Sequence, residues 1–278
     1  MSAMPREIEA VEAKARGSSF YAAMRLMPRP EREAMFAIYA FCRMVDDIAD
    51  DGQGTREERF AALAAWRRDL NVLYRDGVAV QSAFLQAAVR RYGLRLADFL
   101  AVIDGMEMDV AADIVAPDLT ILDLYCDRVA SAVGRLSIKV FGMEEEPGFR
   151  LAHHLGRALQ LTNILRDLDE DAAMGRLYLA REHLEAAGVA CDLGALADPR
   201  IDAACRATAR LAHEHYAQAD AILRARPKGR IRTPRLMGAV YAEILRAMEQ
   251  QGWAPPRKRV SLPKAQLALI ALRHGIVG

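Results

Sequence analysis

The chain reads as a succession of helical stripes. Over residues 30–49, Phe36, Ile38, Phe41, Val45 and Ile48 mark one side of a 3.6-residue repeat. Tyr39, Arg43, Asp46, Asp47 and Asp50, at offsets of 0, 4, 7, 8 and 11, mark another. Strand-like alternation is rare, and alanine, leucine, arginine and glutamate dominate. Helices are expected at roughly 5–26, 30–49, 55–75, 80–91, 95–113, 119–141, 148–171, 201–224, 232–251 and 262–275. Pro28 and Pro30 break the first join, and Asp51-Gly52-Gln53-Gly54 ends the second helix. Thr55 caps the third, with Glu58 at capping-box spacing, and Gly77, Gly93, Pro117, Pro147 and Gly188 punctuate the rest. Strict heptads, internal repeats and long linkers are absent, so residues 1–278 read as a single all-α domain.

Composition narrows this to a soluble globular protein, with 53% hydrophobic and 27% charged residues. A formal net charge of +1, with no aromatics interleaved among the basic residues, argues against a nucleic-acid partner. Cys42, Cys126, Cys191 and Cys205 show neither CxxC nor metal spacing and read as reduced thiols of a cytoplasmic protein. Glu7, Glu9 and Glu12 rule against a signal peptide, and no apolar run reaches the roughly 18 residues of a membrane span.

The chemistry sits in two acidic clusters. In the first, Asp46 and Asp50 are i,i+4 neighbours; in the second, Gln160, Asn163, Asp167 and Asp171 recur at offsets of 0, 3, 7 and 11. Carboxylates stacked on one helical face repel, and acids at a helix C-terminus oppose its macrodipole. Hard divalent cations such as Mg²⁺, shared with a substrate's phosphates, offset both costs. The small residues Ala130, Ser131, Ala132 and Gly134 make a slim face that suits either close helix packing or a tunnel for an apolar chain. Arg224, Arg226, Lys228, Arg230, Arg232 and Arg235, then Arg257-Lys258-Arg259, form basic stretches that read as solvated loops, diphosphate ligands or contacts to anionic lipid. His213 and His215 face different ways and are no metal pair. No Glu-x-x-His di-iron motif, P-loop, dinucleotide fingerprint or G-x-S-x-G is present.

Together, Ser18-Ser19-Phe20-Tyr21, the Tyr39…Arg43…Asp46-Asp47-Ile48-Ala49-Asp50 run, Tyr125-Cys126 to Val133-Gly134, and Gln160-Leu161-Thr162-Asn163-Ile164-Leu165-Arg166-Asp167…Asp171 resemble the squalene/phytoene synthase family of head-to-head prenyl synthases. The resemblance runs from about Gly17 to about Pro263. It implies an all-α isoprenoid-synthase fold with a central cavity, in which aspartates of two opposed helices hold Mg²⁺, or Mn²⁺ in its place. Carried over, Asp46, Asp50, Asp167 and Asp171 are the metal-binding carboxylates, with Asp47 in the same run and Asn163 and Gln160 as companions. Ser18, Ser19, Tyr39, Arg43 and Tyr241 face the diphosphate or the cation, and Tyr39, Arg43 and Tyr241 take the catalytic roles. Phe20, Tyr21, Gln160, Arg166 and Arg259 complete the substrate-binding set. Ser131 departs from the glycine common in relatives, a small-for-small change.

Within the family, Arg176-Leu177-Tyr178-Leu179 and the Gly17–Met27 stretch are most similar to the bacterial hopanoid-pathway branch that makes presqualene diphosphate. The implied reaction is a Mg²⁺-dependent 1'-2-3 condensation of two farnesyl diphosphates, with diphosphate loss, attack by the second substrate's C2–C3 double bond, and proton loss to the released diphosphate or a tyrosine. NADPH is not required on this reading, and a downstream enzyme takes the product. The alternatives are phytoene synthase, using geranylgeranyl diphosphate, and a complete NADPH-dependent squalene synthase; more distant are a terpene cyclase and a non-catalytic assembly factor. The final helix, Leu262–Val277, is interrupted by Lys264, Gln266, Arg273 and His274, so any membrane contact is peripheral, at the inner face.

Overall fold

The computed structural model describes Met24, residues 27–50 and residues 54–275. Apart from Met24, the helix expected over 5–26 lies outside the described residues, as do Ser18, Ser19, Phe20 and Tyr21. Among the described residues there is no strand, only an isolated parallel bridge between Val115 and Leu177.

Helix α1 (Arg29–Asp50) buries Ala34, Met35, Phe36, Ile38, Phe41, Val45 and Ala49; of the stripe read from the sequence, Ile48 is only half-buried. Phe41 meets Trp66 and Phe99 edge-on, with ring centroids 5.6 and 5.1 Å apart. Burying each such ring stabilises the fold by up to about 3 kcal/mol. Helix α2 (Arg56–Asp76) starts at the expected capping box. Glu58 N–H donates to Thr55 Oγ1 at 3.2 Å and Thr55 N–H to Glu58 Oε2 at 2.7 Å. It stops at left-handed Gly77. The region read as helix 80–91 is a 3₁₀ turn (Ala83–Leu85) and a short α3 (Gln86–Tyr92), followed by α4 (Leu96–Ala111).

Two expected helices are interrupted, and both interruptions bear on the site. The first splits into α5 (Leu119–Cys126), a π-helical turn (Asp127–Ser131) and α6 (Ala132–Val140). The widened turn lies against α7 (Glu145–Arg166), where a Cβ on Gly156 would lie 2.7 Å from Ser131 Cα. One on Gly134 would lie 3.1 Å from Ala152 Cα. Helix α7 begins before Pro147, because proline in the first turn forfeits no intrahelical bond. It ends at Asp167 (φ −105°, ψ 19°), outside the helical region, and α8 (Leu168–Ala173) follows. The 160–171 ladder is therefore interrupted at Asp167. Asp171 N–H still donates to Asp167 O at 2.8 Å, which keeps those two residues in helical register.

A short α9 (Arg181–Ala186) and a 3₁₀ turn (Leu193–Ala197), neither expected, lead to α10 (Ile201–Arg224), α11 (Arg232–Gln251) and α12 (Lys264–Gly275). Helix α7 is central and packs on α6, α10 and α11. Its first half joins a core built with α1, α2, α4 and α6; its second half joins one built with α5, α9, α10 and α11. Among the described residues no helix is long and apolar enough to cross a membrane.

Candidate active site

A cavity of about 440 Å³ lies between α1, α4, α6, α7 and α11. Along α7 its wall passes from Leu151, Leu155 and Leu159 to Gln160, Asn163 and Arg166. The rise per helical residue puts about 18 Å between Leu151 and Asn163. The polar part is completed by Tyr39, Arg43 and Asp46 from α1 and Tyr241 from α11; Val102, Met106, Ile138, Phe141 and Met237 contribute apolar surface. The slim segment read two ways from the sequence does both jobs: Gly134 approaches the α7 backbone, and Ala130, Val133 and Gly134 line the cavity.

The acids crowd at the polar part. Burial, then the neighbouring charge of Asp50, pushes the Asp46 carboxyl up to about 7. Burial, then Asp167, pushes Asp171 up to about 7, with Asp50 and Asp109 adding to the effect. The α1 and α7–α8 clusters thus feel one another across the site. Arg43 donates to Asp46 and, at 2.9 Å, to Asp47. Arg176 donates to Asp50 at 2.5 Å and to Ala49 O at 3.1 Å. Arg166 grips Asp167 through two bonds of 2.8 and 2.6 Å, and Arg259 reaches Asp167 at 2.8 Å and Glu170 at 2.9 Å.

This donor set fits a hard divalent cation. It is built from carboxylate oxygens, which such ions prefer, and burial together with neighbouring carboxylates raises Asp46 and Asp171, a cost a cation removes. Asn163 Oδ1 is moreover buried without a hydrogen-bond partner, the kind of orphaned acceptor that a ligand or ion satisfies.

Of the residues singled out in the sequence, Tyr39, Arg43, Asp46, Gln160, Asn163, Arg166 and Tyr241 line one cavity. Asp47, Asp50, Asp167, Asp171 and Arg259 join through the contacts above. Arg257 differs: its side chain is 8% exposed and tied to Asp169 and to the carbonyls of Trp253 and Leu196, a structural anchor. The 224–235 stretch is also partly paired, through Arg224–Asp220, Lys228–Glu144 and Arg230–Glu31.

Sequence reasoning gave no site role to Arg176 or Asp109. Asp109 is buried on α4 and accepts from Tyr178 at 2.7 Å and Tyr125 at 3.1 Å; burial pushes its carboxyl up to about 6. An acid among the apolar residues Val102, Ile103, Met106 and Val110 was the available signal. Arg176 carried the branch resemblance but gave no sign of a site role, because its partner Asp50 lies 126 residues away in sequence.

The fold and site define an all-α protein with an acid-lined, apolar-walled cavity, and comparison with known proteins narrows this. The squalene/phytoene synthase family model matches residues 13–266. The presqualene diphosphate synthase of Zymomonas mobilis is 59% identical over 260 residues, covering 93% of this chain and 89% of that protein. That of Rhodopseudomonas palustris is 51% identical over 278 residues, covering 98% of each. The phytoene synthase of Mycobacterium tuberculosis is 34% identical, covering 93% and 87%. A solved dehydrosqualene synthase superimposes with a TM-score of 0.78 at 25% identity, covering 98% of this chain and 96% of that one. The squalene synthase of Alicyclobacillus acidocaldarius gives 0.76 at 28%, covering 91% and 98%. The chain belongs to the squalene/phytoene synthase family.

Proposed function

We propose that the protein condenses two farnesyl diphosphates head to head into presqualene diphosphate. The observation that carries this reading is one cavity whose acidic, arginine-rich part passes directly into an apolar wall. The 59% and 51% identity to two presqualene diphosphate synthases, against 34% to a phytoene synthase, supports the C15 substrate over the C20 one.

Asp46, Asp50, Asp167 and Asp171, with Asp47 and Asn163 beside them, would hold Mg²⁺. When bound, Mg²⁺ neutralises the charge of the departing diphosphate and so makes it a leaving group. Arg43, Arg166 and Arg259 bind phosphate oxygens by exchanging their present carboxylate partners for them. Leu155, Leu159 and Met237 keep water from the allylic cation. C1 of the ionised substrate bonds to C2 and C3 of the second, a proton is lost, and the products are one C30 diphosphate and one inorganic diphosphate. Electrons balance without a reductant. Burial raises the Tyr39 phenol above its ordinary value, so it stays protonated and offers no phenolate to take the proton, which favours the released diphosphate as acceptor.

The product keeps its diphosphate, so a second enzyme must consume the cyclopropyl diphosphate. The test is diphosphate release by purified protein with farnesyl or geranylgeranyl diphosphate, in Mg²⁺ and in EDTA. Release from farnesyl diphosphate that stops in EDTA is expected. Preference for the C20 substrate would overturn the chain-length assignment, and release undiminished by EDTA the metal assignment.

A further inference from the structure

Helices α7 and α10 bring three histidines together away from the cavity. His153 and His154 come from α7 and His215 from α10, and one ring nitrogen of each lies within 4.8 Å of the others. His154 Nδ1 and His215 Nδ1 are 3.1 Å apart, and the ring centroids are separated by 4.7, 5.3 and 6.0 Å. None of the three lines the cavity. The nine-step rise of α7 from His154 to Asn163 puts about 14 Å between this cluster and the start of the polar part of the cavity. The sequence reading that His213 and His215 do not pair holds, since His213 turns to Glu249 at 3.0 Å. The partners of His215 come instead from a helix some 60 residues earlier.

The arrangement matches what an imidazole-bound cation needs. At metal–nitrogen distances of about 2.0–2.1 Å, nitrogens around a tetrahedral ion stand about 3.4 Å apart, within reach of small side-chain rotations here. Two facing Nδ1 atoms share one proton at most, and a cation bound there takes that proton's place, each ring keeping its N–H on Nε2. Burial and the neighbouring histidines hold His215 well below its ordinary value, at about 4, so the ring is neutral. Arg157, the nearby cation, is already engaged by Asp123 at 2.6 and 2.9 Å and by Asp127 at 3.1 Å. His153 is exposed while His154 and His215 are half-buried, so one side stays open for a water ligand, as in three-ligand zinc sites.

We propose that His153, His154 and His215 bind one first-row divalent cation of borderline softness, Zn²⁺ being the best match, which ties α7 to α10. The catalytic acids offer only hard oxygen, so the two sites separate by ligand chemistry.

The test uses untagged full-length protein stripped of metal and kept in excess Mg²⁺. Co²⁺ is titrated and followed by its visible ligand-field absorption, and Zn²⁺ is titrated by calorimetry. One equivalent should bind with an imidazole-type spectrum. Losing even a supporting partner of a metal ligand costs roughly 10–100-fold in affinity, so His154→Ala and His215→Ala should each weaken binding by at least about tenfold. Asp167→Asn should leave it unchanged. If an alanine variant fails to fold, His215→Gln takes its place, and Zn²⁺ should raise the Tm of wild type but not of this variant. Absence of saturable Co²⁺ or Zn²⁺ binding to wild type, binding undiminished in the histidine variants, or binding lost in Asp167→Asn would each overturn the proposal.

Discussion

Replacing Asp46 by asparagine should make the metal-free protein more stable while abolishing turnover. The carboxyl is raised from 3.8 to about 7, which at about 1.4 kcal/mol per unit sets about 4 kcal/mol against the fold at pH 7.5. The side chain is 30% exposed, and Arg43 loses a charged acceptor, so about half of this survives, about 2 kcal/mol or roughly 5 °C in Tm. The sign follows from proton counts. Unfolded, the carboxyl ionises near pH 4; folded, near pH 7; between them the native state holds more protons, and stability falls as pH rises. The benefit of Asp46→Asn should therefore drop to about half its size by pH 5.5 and fade toward pH 4. Calorimetry in EDTA at pH 7.5, 5.5 and 4 reads this directly. A repeat in Mg²⁺ should favour wild type, because the ion stabilises only the form that binds it. A Tm for Asp46→Asn at or below wild type in EDTA at pH 7.5, or a pH-independent difference, would refute the account of mutually strained carboxyls.

Gly156→Ala places a methyl 2.7 Å from the Ser131 backbone and should cost about 1–3 kcal/mol in a urea melt; an unchanged midpoint would contradict the close crossing. Arg176→Gln removes the buried partner of Asp50 and should cost about 3 kcal/mol in EDTA, partly restored by Mg²⁺; equal loss in both buffers would place Arg176 outside the acidic site. Phe141→Ala enlarges the apolar wall and should raise the geranylgeranyl-to-farnesyl ratio of kcat/KM by about tenfold; an unchanged ratio would show that Phe141 does not limit chain length.

What could be read from the sequence was what is local or periodic. The Thr55–Glu58 box, the buried stripe of Phe36, Ile38, Phe41 and Val45, and the Gly77 stop each follow from a few neighbouring residues. The acidic stripe of α1 also survived intact. What escaped depends on contacts remote in sequence. The π-helical turn at Asp127–Ser131 lies where α7 presses Gly156 against it, and nothing in the segment itself announces the i→i+5 bond from Ala132 N–H to Asp127 O. The break at Asp167 divides the ladder between two helices, and Arg166 and Arg259 converge on that carboxylate. Arg176 and Asp109 acquire meaning only once α1, α4 and α8 meet. Arg257 misled in the other direction: a basic trio looks like a phosphate patch until one member is found anchored to Asp169.

The central claim is that this acid-lined cavity joins two C15 diphosphates and stops at the cyclopropane. Mass spectrometry of the products formed from farnesyl diphosphate and Mg²⁺, with and without NADPH, tests it most directly. The account predicts a C30 diphosphate that accumulates equally in both reactions. Squalene appearing only with NADPH, or no C30 product at all, would contradict it.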